Sequence, residues 1–229
     1  MSEHWDQLAQ RAGRPLDAPK RRLLERFLDL LLAANRTMNL TRITDRAAAE
    51  TGHVADALTL LPWLPAGEHR LADVGSGGGV PGIPLAIVRP DASVFLIEST
   101  RKKAAFLESA AGELGLRNVT VLAERAEEVG RGPLRESFDV AVARAVGTMD
   151  VLAQWCLPLV KVGGCVLAMK GPRAPQELPA AHRIIQKLGG GRPAIHPAGL
   201  EGSEHVIVRI GKVRGGRGCY SLNGRDSRR

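Results

Sequence analysis

Cysteine and aromatic residues are scarce in this 229-residue sequence, which has three cysteines, one tyrosine and an aromatic content of 3%. Cys156, Cys165 and Cys219 are scattered and form no C-x-x-C pair, so the sequence predicts neither a disulfide framework nor a zinc site. No Ser/His/Asp set, cysteine nucleophile or metal-ligand spacing stands out, and covalent or metal-dependent catalysis is not expected. The few aromatic side chains also leave little for stacking unpaired bases.

Long hydrophobic runs are absent as well. Those that exist, such as residues 30–34, are far too short to cross a bilayer, and the polar start MSEHWDQ contains no apolar secretion core. We therefore expect a cytoplasmic protein with no membrane partner, and nothing in the sequence implies a stable protein partner. An apolar content of 44% over 229 residues is sufficient for one α/β domain with a buried core.

The formal charge of +8 is unevenly distributed. Residues 212–229 hold six basic side chains and one acidic one, which accounts for +5 of that charge. The remaining body is only mildly basic, so a nucleic-acid surface on it would depend on local clusters. We expect residues 212–229 to form a basic, flexible tail.

The chain divides into an N-terminal helical part and an alternating part. Residues 20–35 carry apolar side chains at helical spacing, and a second helical stretch runs through His53 and Asp56 to the proline-rich segment LPWLP (61–65). We expect residues 1–66 to be a helical extension packed on a core formed by residues 67–211. Strands are predicted at 71–74, 94–97, 119–122, 138–143, 165–169, 194–196 and 205–210, and the intervening helices at 84–88, 101–114, 149–159 and 175–188. Such alternation predicts a doubly wound, mostly parallel seven-stranded sheet in the α/β class.

The glycine-rich segment LADVGSGGGVPG (71–82) joins the first strand to a helix. Glycine reaches positive φ and lets a ligand approach the main chain, and a helix N-terminus offers free N–H groups. The segment Gly77–Gly82 fits the dinucleotide pattern G-x-G-x-x-G, but it contains Pro81 within the turn. The alternative is G-x-G-x-G at Gly75, Gly77 and Gly79 behind Asp73, which resembles motif I of S-adenosylmethionine (SAM)-dependent methyltransferases. A third interpretation is a connector without a ligand.

Three further features lie at the ends of predicted strands. Glu98 ends the second strand, where an acidic residue in doubly wound folds accepts hydrogen bonds from ribose hydroxyls; this suits NAD as well as SAM, and an exposed strand-end carboxylate is the alternative. The basic run 101–103 opens a helix, against the helix dipole, and either contacts phosphate or is simply solvated. Arg144 follows the fourth strand and either faces the substrate or caps a helix.

The sequence resembles the glucose-inhibited division protein B family, the bacterial small-subunit ribosomal RNA guanine-N7 methyltransferases. The resemblance spans about residues 20 to 210, and the continuation GVPGIPLA (79–86) is more specific than motif I alone. The other segments that carry it are NLT (39–41), HVAD (53–56), DVGSG (73–77), KK (102–103), AE (126–127), ARA (143–145) and KG (170–171).

This resemblance implies a Rossmann-like class I SAM-dependent methyltransferase fold. It also implies SAM as cofactor and 16S ribosomal RNA, or the small-subunit particle, as partner. The expected SAM-binding residues are Asp73, Gly75, Gly77, Gly79, Val80, Glu98, Ala126, Glu127 and Arg144. The expected RNA-binding residues are Arg101, Lys102, Lys103, Arg125 and Lys170. The chain departs from the family pattern at three positions. Gly52 and Glu204 stand where the family usually has an arginine before the histidine, and Ala57 stands where it usually has a serine.

Methylation at guanine N7 is consistent with the residues that are missing. N7 carries a lone pair and no proton, so alignment of the two reactants is the main requirement and no general base is expected. Arg144 is the expected catalytic residue, in a positioning role. The Asn-Pro-Pro-Tyr-like signature of amino-group methyltransferases is absent after the fourth strand. The alternatives are a SAM-dependent methyltransferase for a small molecule or protein, and a non-catalytic nucleotide- or RNA-binding module.

Overall fold

Seven β-strands form one sheet in the computed structural model, which describes residues 3–200 and 202–216. The strands are β1 (His69–Val74), β2 (Ala92–Ile97), β3 (Val119–Leu122), β4 (Phe138–Arg144), β5 (Val160–Lys170), β6 (Ala194–Pro197) and β7 (Val206–Gly211). Their order is β3-β2-β1-β4-β5-β7-β6. Strands β1 to β5 are parallel, and β7 pairs antiparallel with both β5 and β6. The predicted mostly parallel, seven-stranded α/β fold is confirmed.

Helices cover both faces of this sheet. They are α1 (Glu3–Arg11), α2 (Ala18–Met38), α3 (Arg46–Ala49), α4 (Asp56–Leu58), α5 (Gly82–Val88), α6 (Arg101–Glu113), α7 (Ala126–Val129), α8 (Met149–Cys156) and α9 (Ala174–Lys187), with a π-helical turn at Glu50–Ala55 and a 3₁₀ turn at Leu61–Trp63. No helix within the described ranges has the length and apolar character that a membrane crossing requires.

The hydrophobic core consists of two layers, one on each face of the sheet. Leu71 points into the layer that also contains Phe27 of α2 and Ile83 of α5. Its neighbour Ala72 points into the opposite layer, with Met149 of α8. This alternation follows from the pleat of the strand, and both faces are apolar because helices cover each of them.

Residues 3–65, here called the N-terminal layer, pack on the face of the sheet that α5 also covers, and part of this layer reaches the carboxyl ends of the strands. Helix α2 is preceded by its N-cap Asp17, whose side chain accepts a hydrogen bond from the Lys20 amide, and is followed by its C-cap Asn39 in the left-handed conformation (φ 51°). The Asn35 side chain then donates to the Thr41 carbonyl (2.9 Å) and accepts from the Thr41 amide (2.8 Å). This pair of bonds fixes the reversal that brings residues 39–43 back over the sheet.

The end of the described chain is held at the opposite edge of the sheet. Strand β7 starts beside Lys170 and ends beside Cys165, so it runs toward the amino ends of the parallel strands. There the buried Lys212 Nζ donates to the Leu157 carbonyl (2.8 Å) and lies 3.1 Å from Glu136 Oε1. Residues 217–229 lie outside the described residues. The flexible tail and the division at 1–66, 67–211 and 212–229 stay predictions.

Candidate active site at the carboxyl edge of the sheet

The glycine turn between β1 and α5 is built from left-handed backbone. Gly75, Gly77 and Gly79 have φ values of 71°, 54° and 87°. The turn is closed by the bond from the Gly79 amide to the Ser76 carbonyl (2.7 Å). A Cβ at Gly75 would collide with the Val146 side chain, whereas one at Gly77 would meet only the Gly75 carbonyl oxygen, at 3.8 Å. The turn is therefore closely packed at Gly75 and open to a ligand at Gly77.

Asp73 supports this turn from the protein interior. Its buried carboxylate accepts a hydrogen bond through Oδ2 from the Gly82 amide at the start of α5 (3.0 Å). Burial raises the pKa of Asp73 to about 7, and the Gly82 bond acts in the opposite direction. Asp73 thus ties the end of β1 to the helix that follows the turn.

Glu98 closes the turn from the neighbouring strand. Its Oε2 accepts from the Gly77 amide (3.0 Å) and its Oε1 accepts from the Thr100 amide (2.7 Å). Each carboxylate oxygen retains a lone pair for another donor. An open cleft of about 80 Å³ adjoins it, lined by Val74, Gly75, Ile97, Glu98, Ser99, Glu124, Arg125, Ala126, Glu127 and Trp155.

This cleft combines polar and apolar groups. Glu98 supplies an anchored carboxylate, Ile97 and Ala126 supply apolar surface, and the glycine turn supplies bare backbone. Sequence reasoning missed Trp155, which lies on α8 (Met149–Cys156) and belongs to no motif that points to a ligand. The two lysines after Glu98 are placed outside this cleft.

Arg144 is held by the N-terminal layer. Its Nη1 donates to the Gly52 carbonyl (2.6 Å) and to Asp56 Oδ2 (3.1 Å), and its Nη2 donates to His53 Nδ1 (3.1 Å). The sequence left open whether Arg144 faces the substrate or caps a helix. In the structure Arg144 lines a cavity beside the glycine turn, and its guanidinium is fixed by the π-helical turn and Asp56. π-Helical turns are rare in proteins as a whole, but those that occur are often found at functional sites.

The protonation state of His53 follows from these contacts. His53 Nδ1 lies 3.1 Å from Arg144 Nη2, which can only donate, and 3.1 Å from the Gly52 carbonyl, which can only accept. The tautomer that bonds to Arg144 carries its proton on Nε2, 3.1 Å from Thr41 Oγ1, and accepts through Nδ1. Burial, followed by the positive charge of Arg144, lowers the pKa of His53 to about 4. The ring is therefore neutral at physiological pH.

Asp56 connects Arg144 to a second histidine. It is buried, and while Oδ2 accepts from Arg144, Oδ1 lies 3.2 Å from Nδ1 of His205 at the end of the chain segment before β7. His205 is half exposed. The structure thus brings together residues from three distant segments, and sequence reasoning had assigned neither Asp56 nor His205 to the site. The i, i+3 spacing of His53 and Asp56 in a helical stretch was a usable signal, because it places both on one face.

These residues enclose a cavity of about 660 Å³ on the other side of the glycine turn. Gly78 and Val80 of the turn form part of its wall. The rest of the lining is Leu31, Asn39, Leu40, Thr41, Arg42, Ile43, Gly52, His53, Asp56, Arg144, Ala145, Met169, Lys170, Gly171 and His205. The glycine turn thus contributes Gly75 to the smaller cleft and Gly78 and Val80 to the larger cavity, whose walls include charged, polar and apolar side chains.

The expected RNA-binding residues differ in their surroundings. Arg101, Lys102 and Arg125 are exposed, and Lys103 is half-buried. Lys170 is instead mostly buried: its Nζ donates to the Gly147 carbonyl (2.7 Å) and pairs with Glu177 Oε2 (2.7 Å). Its ammonium group holds the loop after β4, although its side chain also lines the large cavity.

The sequence is similar to known proteins over most of its length. The family profile described as GidB, rRNA small subunit methyltransferase G, matches residues 20–207. A ribosomal RNA small subunit methyltransferase G from Sorangium cellulosum is 50% identical over 175 residues, which are 76% of this chain and 73% of the relative. The corresponding protein from Moorella thermoacetica is 45% identical over 188 residues, 80% of this chain and 78% of the relative.

Solved structures are similar in fold alone. A SAM-dependent O-methyltransferase from Thermotoga maritima has a TM-score of 0.52 and 17% identity, over 82% of this chain and 73% of that protein. Its Rossmann-like methyltransferase architecture agrees with the strand order found here.

Proposed function

The chain belongs to the rRNA small subunit methyltransferase G family, and from this membership and the site we propose that it transfers a methyl group from SAM to N7 of a guanine in 16S ribosomal RNA. The substrate is either free 16S ribosomal RNA or the same RNA within the small-subunit particle in the cytoplasm. The observation that carries the proposal is the glycine turn, which has an adenosine-compatible cleft on one side and a cavity of about 660 Å³ on the other.

In this proposal the cleft holds SAM. Glu98 accepts from the ribose hydroxyls, Ala126 and Glu127 flank the adenine, and Gly75, Gly77 and Gly79 allow close approach of the amino-acid part. When bound, SAM supplies the electrophilic methyl group. Gly77 is the open position of the turn, since a Cβ there would meet only the Gly75 carbonyl oxygen. Methyl transfer needs N7 and the methyl group in direct, in-line contact, so the two reactants meet past the turn and not through it.

The larger cavity receives the guanine. Its N7 needs no deprotonation, so the task of the protein is to align N7 with the methyl group and exclude water. Arg144 is suited to such positioning, because three hydrogen bonds to the N-terminal layer restrict its guanidinium. Two of its five N–H donors, one on Nε and one on Nη2, have no partner in the described part of the chain and are available to the substrate.

The exposed side chains of Arg101, Lys102 and Arg125 support RNA as the substrate class. They lie after β2 and β3, at the same edge as the glycine turn. Phosphate contacts made by such side chains provide affinity without reading the sequence, and salt weakens them.

The deciding experiment is mass mapping of 16S ribosomal RNA from a strain that lacks this protein. We expect one N7-methylguanosine to disappear and to return when the gene is restored. If every N7-methylguanosine persists, the substrate assignment is wrong.

Binding of the cofactor is tested separately by calorimetry. The purified protein should bind SAM and not NAD. Gly77→Asp should abolish SAM binding, since the new carboxylate would lie beside Glu98 and in the ligand's space, while Gly77→Asn serves as a neutral control of nearly equal size that also tolerates positive φ. Equal SAM affinity in Gly77→Asp and the unmodified protein would mean that the ligand binds elsewhere.

A further inference from the structure

Asp56 bridges two side chains that face the large cavity. Its Oδ2 accepts from Arg144 Nη1 (3.1 Å) and its Oδ1 lies 3.2 Å from His205 Nδ1. Arg144, His205 and Asp56 all line the cavity, and the Asp56 side chain is almost completely buried between its two partners. One buried carboxylate therefore sets the relative position of both groups.

The carboxylate also determines which nitrogen of His205 carries the proton. An ionised carboxylate only accepts hydrogen bonds, so Nδ1 of His205 must be the donor in the 3.2 Å contact. In the neutral ring the other nitrogen, Nε2, is then an acceptor. Nε2 has no hydrogen-bond partner within residues 3–200 and 202–216. With a neutral His205 ring, Arg144 therefore offers a donor and His205 an acceptor.

This donor and acceptor pair matches guanine and not adenine. Guanine has the acceptor O6 next to the donor N1–H, whereas adenine has the amino group N6 next to the acceptor N1. A guanidinium placed on O6 rather than on N7 leaves the N7 lone pair free to attack. An adenine in the same place would set donor against donor and acceptor against acceptor.

We propose that Asp56 orients Arg144 and His205 as a guanine-selecting pair, in which Arg144 donates to O6 and His205 Nε2 accepts the N1–H. This inference rests on the proposed function and adds a specificity-determining residue, His205, and a positioning residue, Asp56. A mismatched base at such a site leaves polar groups unpaired, which is the most effective way for a site to reject an analogue.

The same pair contributes to the rate of methyl transfer. As the N7–CH₃ bond forms and the sulfur–CH₃ bond breaks, the electron pair of the broken bond stays on sulfur and positive charge moves onto the purine. The N1–H then becomes a stronger donor, so its bond to His205 strengthens in the transition state. Interactions that strengthen in this way raise kcat rather than only lowering KM.

The test uses small subunits assembled from 16S RNA that carries guanine, N1-methylguanine or adenine at the position identified by mass mapping. The unmodified enzyme should use N1-methylguanine and adenine at least tenfold less efficiently than guanine, measured as kcat/KM. His205→Ala should lower kcat on guanine about tenfold and use guanine and N1-methylguanine equally well. His205→Gln, which retains an acceptor, should keep part of the preference.

Asp56→Asn tests the positioning role. Its amide can donate to His205 Nδ1 and so move the ring proton to Nε2, which converts the acceptor into a donor. We expect the preference for guanine over N1-methylguanine to be lost. His182→Ala is the control, since His182 is an exposed residue of α9 that contacts Gln186. Unchanged SAM affinity in each variant will show that the fold and the cofactor site are intact.

A His205→Ala enzyme that still prefers guanine over N1-methylguanine as strongly as the unmodified one overturns the proposal. So does an Asp56→Asn enzyme that binds SAM normally and retains the full preference. Both results leave the proposed function standing, provided that mass mapping has identified a guanine. Failure of the mapping experiment, in contrast, removes the guanine substrate itself.

Discussion

Arg144 and His53 are 91 positions apart in the chain, yet the guanidinium Nη2 donates to the imidazole Nδ1 at 3.1 Å. Burial and, after it, the neighbouring cation lower the pKa of His53 and keep the ring neutral, and the neutral ring in turn helps to fix the direction of the guanidinium. The contact joins the last residue of a central strand to the N-terminal layer. This layer therefore completes the candidate active site and is more than a cover for the sheet.

The contributions of Arg144 and Asp56 to the free energy of unfolding should be coupled, because the two side chains form an ion pair. Arg144→Ala leaves the carboxylate of Asp56 buried with only His205 as a partner, and we expect it to cost about 3 kcal/mol of unfolding free energy. Adding Asp56→Asn should restore part of that loss without restoring methyl transfer. Urea unfolding of the two single variants and the double variant gives the coupling energy. Simple additivity of the two losses would contradict the pairing.

His53 should make the protein less stable in acid. Its folded pKa of about 4 is below the ordinary value of 6.5, so the folded state resists protonation. The stabilising contribution is complete above pH 6.5 and is lost as the pH falls from 6.5 toward 4, by about 3 kcal/mol at most. His53→Asn keeps an acceptor near the Nδ1 position but does not titrate, and its unfolding free energy should therefore decline less over this range.

Asp73 acts in the opposite direction over the same pH range. Its folded pKa is raised from 3.8 to about 7, so its contribution is greatest at low pH and is lost as the pH rises toward 7. The effect is common to His53→Asn and the unmodified protein and cancels in their difference. Parallel curves for these two proteins between pH 4 and 6.5 would argue against a neutral, Arg144-bound His53.

Gly82 should tolerate no side chain. A Cβ there would collide with Leu96 and lie 2.6 Å from Asp73 Oδ2, in a fully packed region below the glycine turn. Gly82→Ala should lower the unfolding free energy by about 1–3 kcal/mol. Gly112 in α6 is the matched control, because a Cβ there meets nothing within 4 Å, and Gly112→Ala should be stabilising by about 0.5–1 kcal/mol. Thermal unfolding of both variants distinguishes packing from a general effect of alanine.

Lys102 and Lys170 should differ in the salt dependence of RNA binding. Lys102 is exposed, and its Nζ makes one 3.4 Å contact with the Thr37 carbonyl, so it is available to phosphate. Lys102→Ala should reduce the slope of log K against log salt by about 0.7–0.9, the value of one phosphate contact. Lys170→Met should leave the slope unchanged, because the ammonium is already paired with Glu177. Fluorescence anisotropy with a 16S RNA fragment at several salt concentrations provides both slopes, and a reduced slope for Lys170→Met would show that the pair opens on binding.

The sequence by itself determined the sheet and the cofactor side of the site. Strands β1 to β4 follow from continuous apolar runs bounded by glycine and polar residues. The first part of β5, residues 160–164, was not predicted, because a lysine and two glycines interrupt its apolar pattern. The glycine turn and Glu98 were identifiable because both depend on local features, a backbone conformation and a strand end. In parallel strands, such ends necessarily meet at one edge of the sheet.

Only the tertiary structure decided which polar groups face each other across the large cavity. His205 lies 149 positions from Asp56, and no periodicity in the sequence links them. The ion pair between Lys170 and Glu177 of α9 was likewise not visible in the sequence, and the RNA contact expected of Lys170 stays a prediction. Local sequence encodes conformation and burial, whereas the direction of a long charged side chain depends on whichever distant partner the packing of the helices brings within hydrogen-bonding distance.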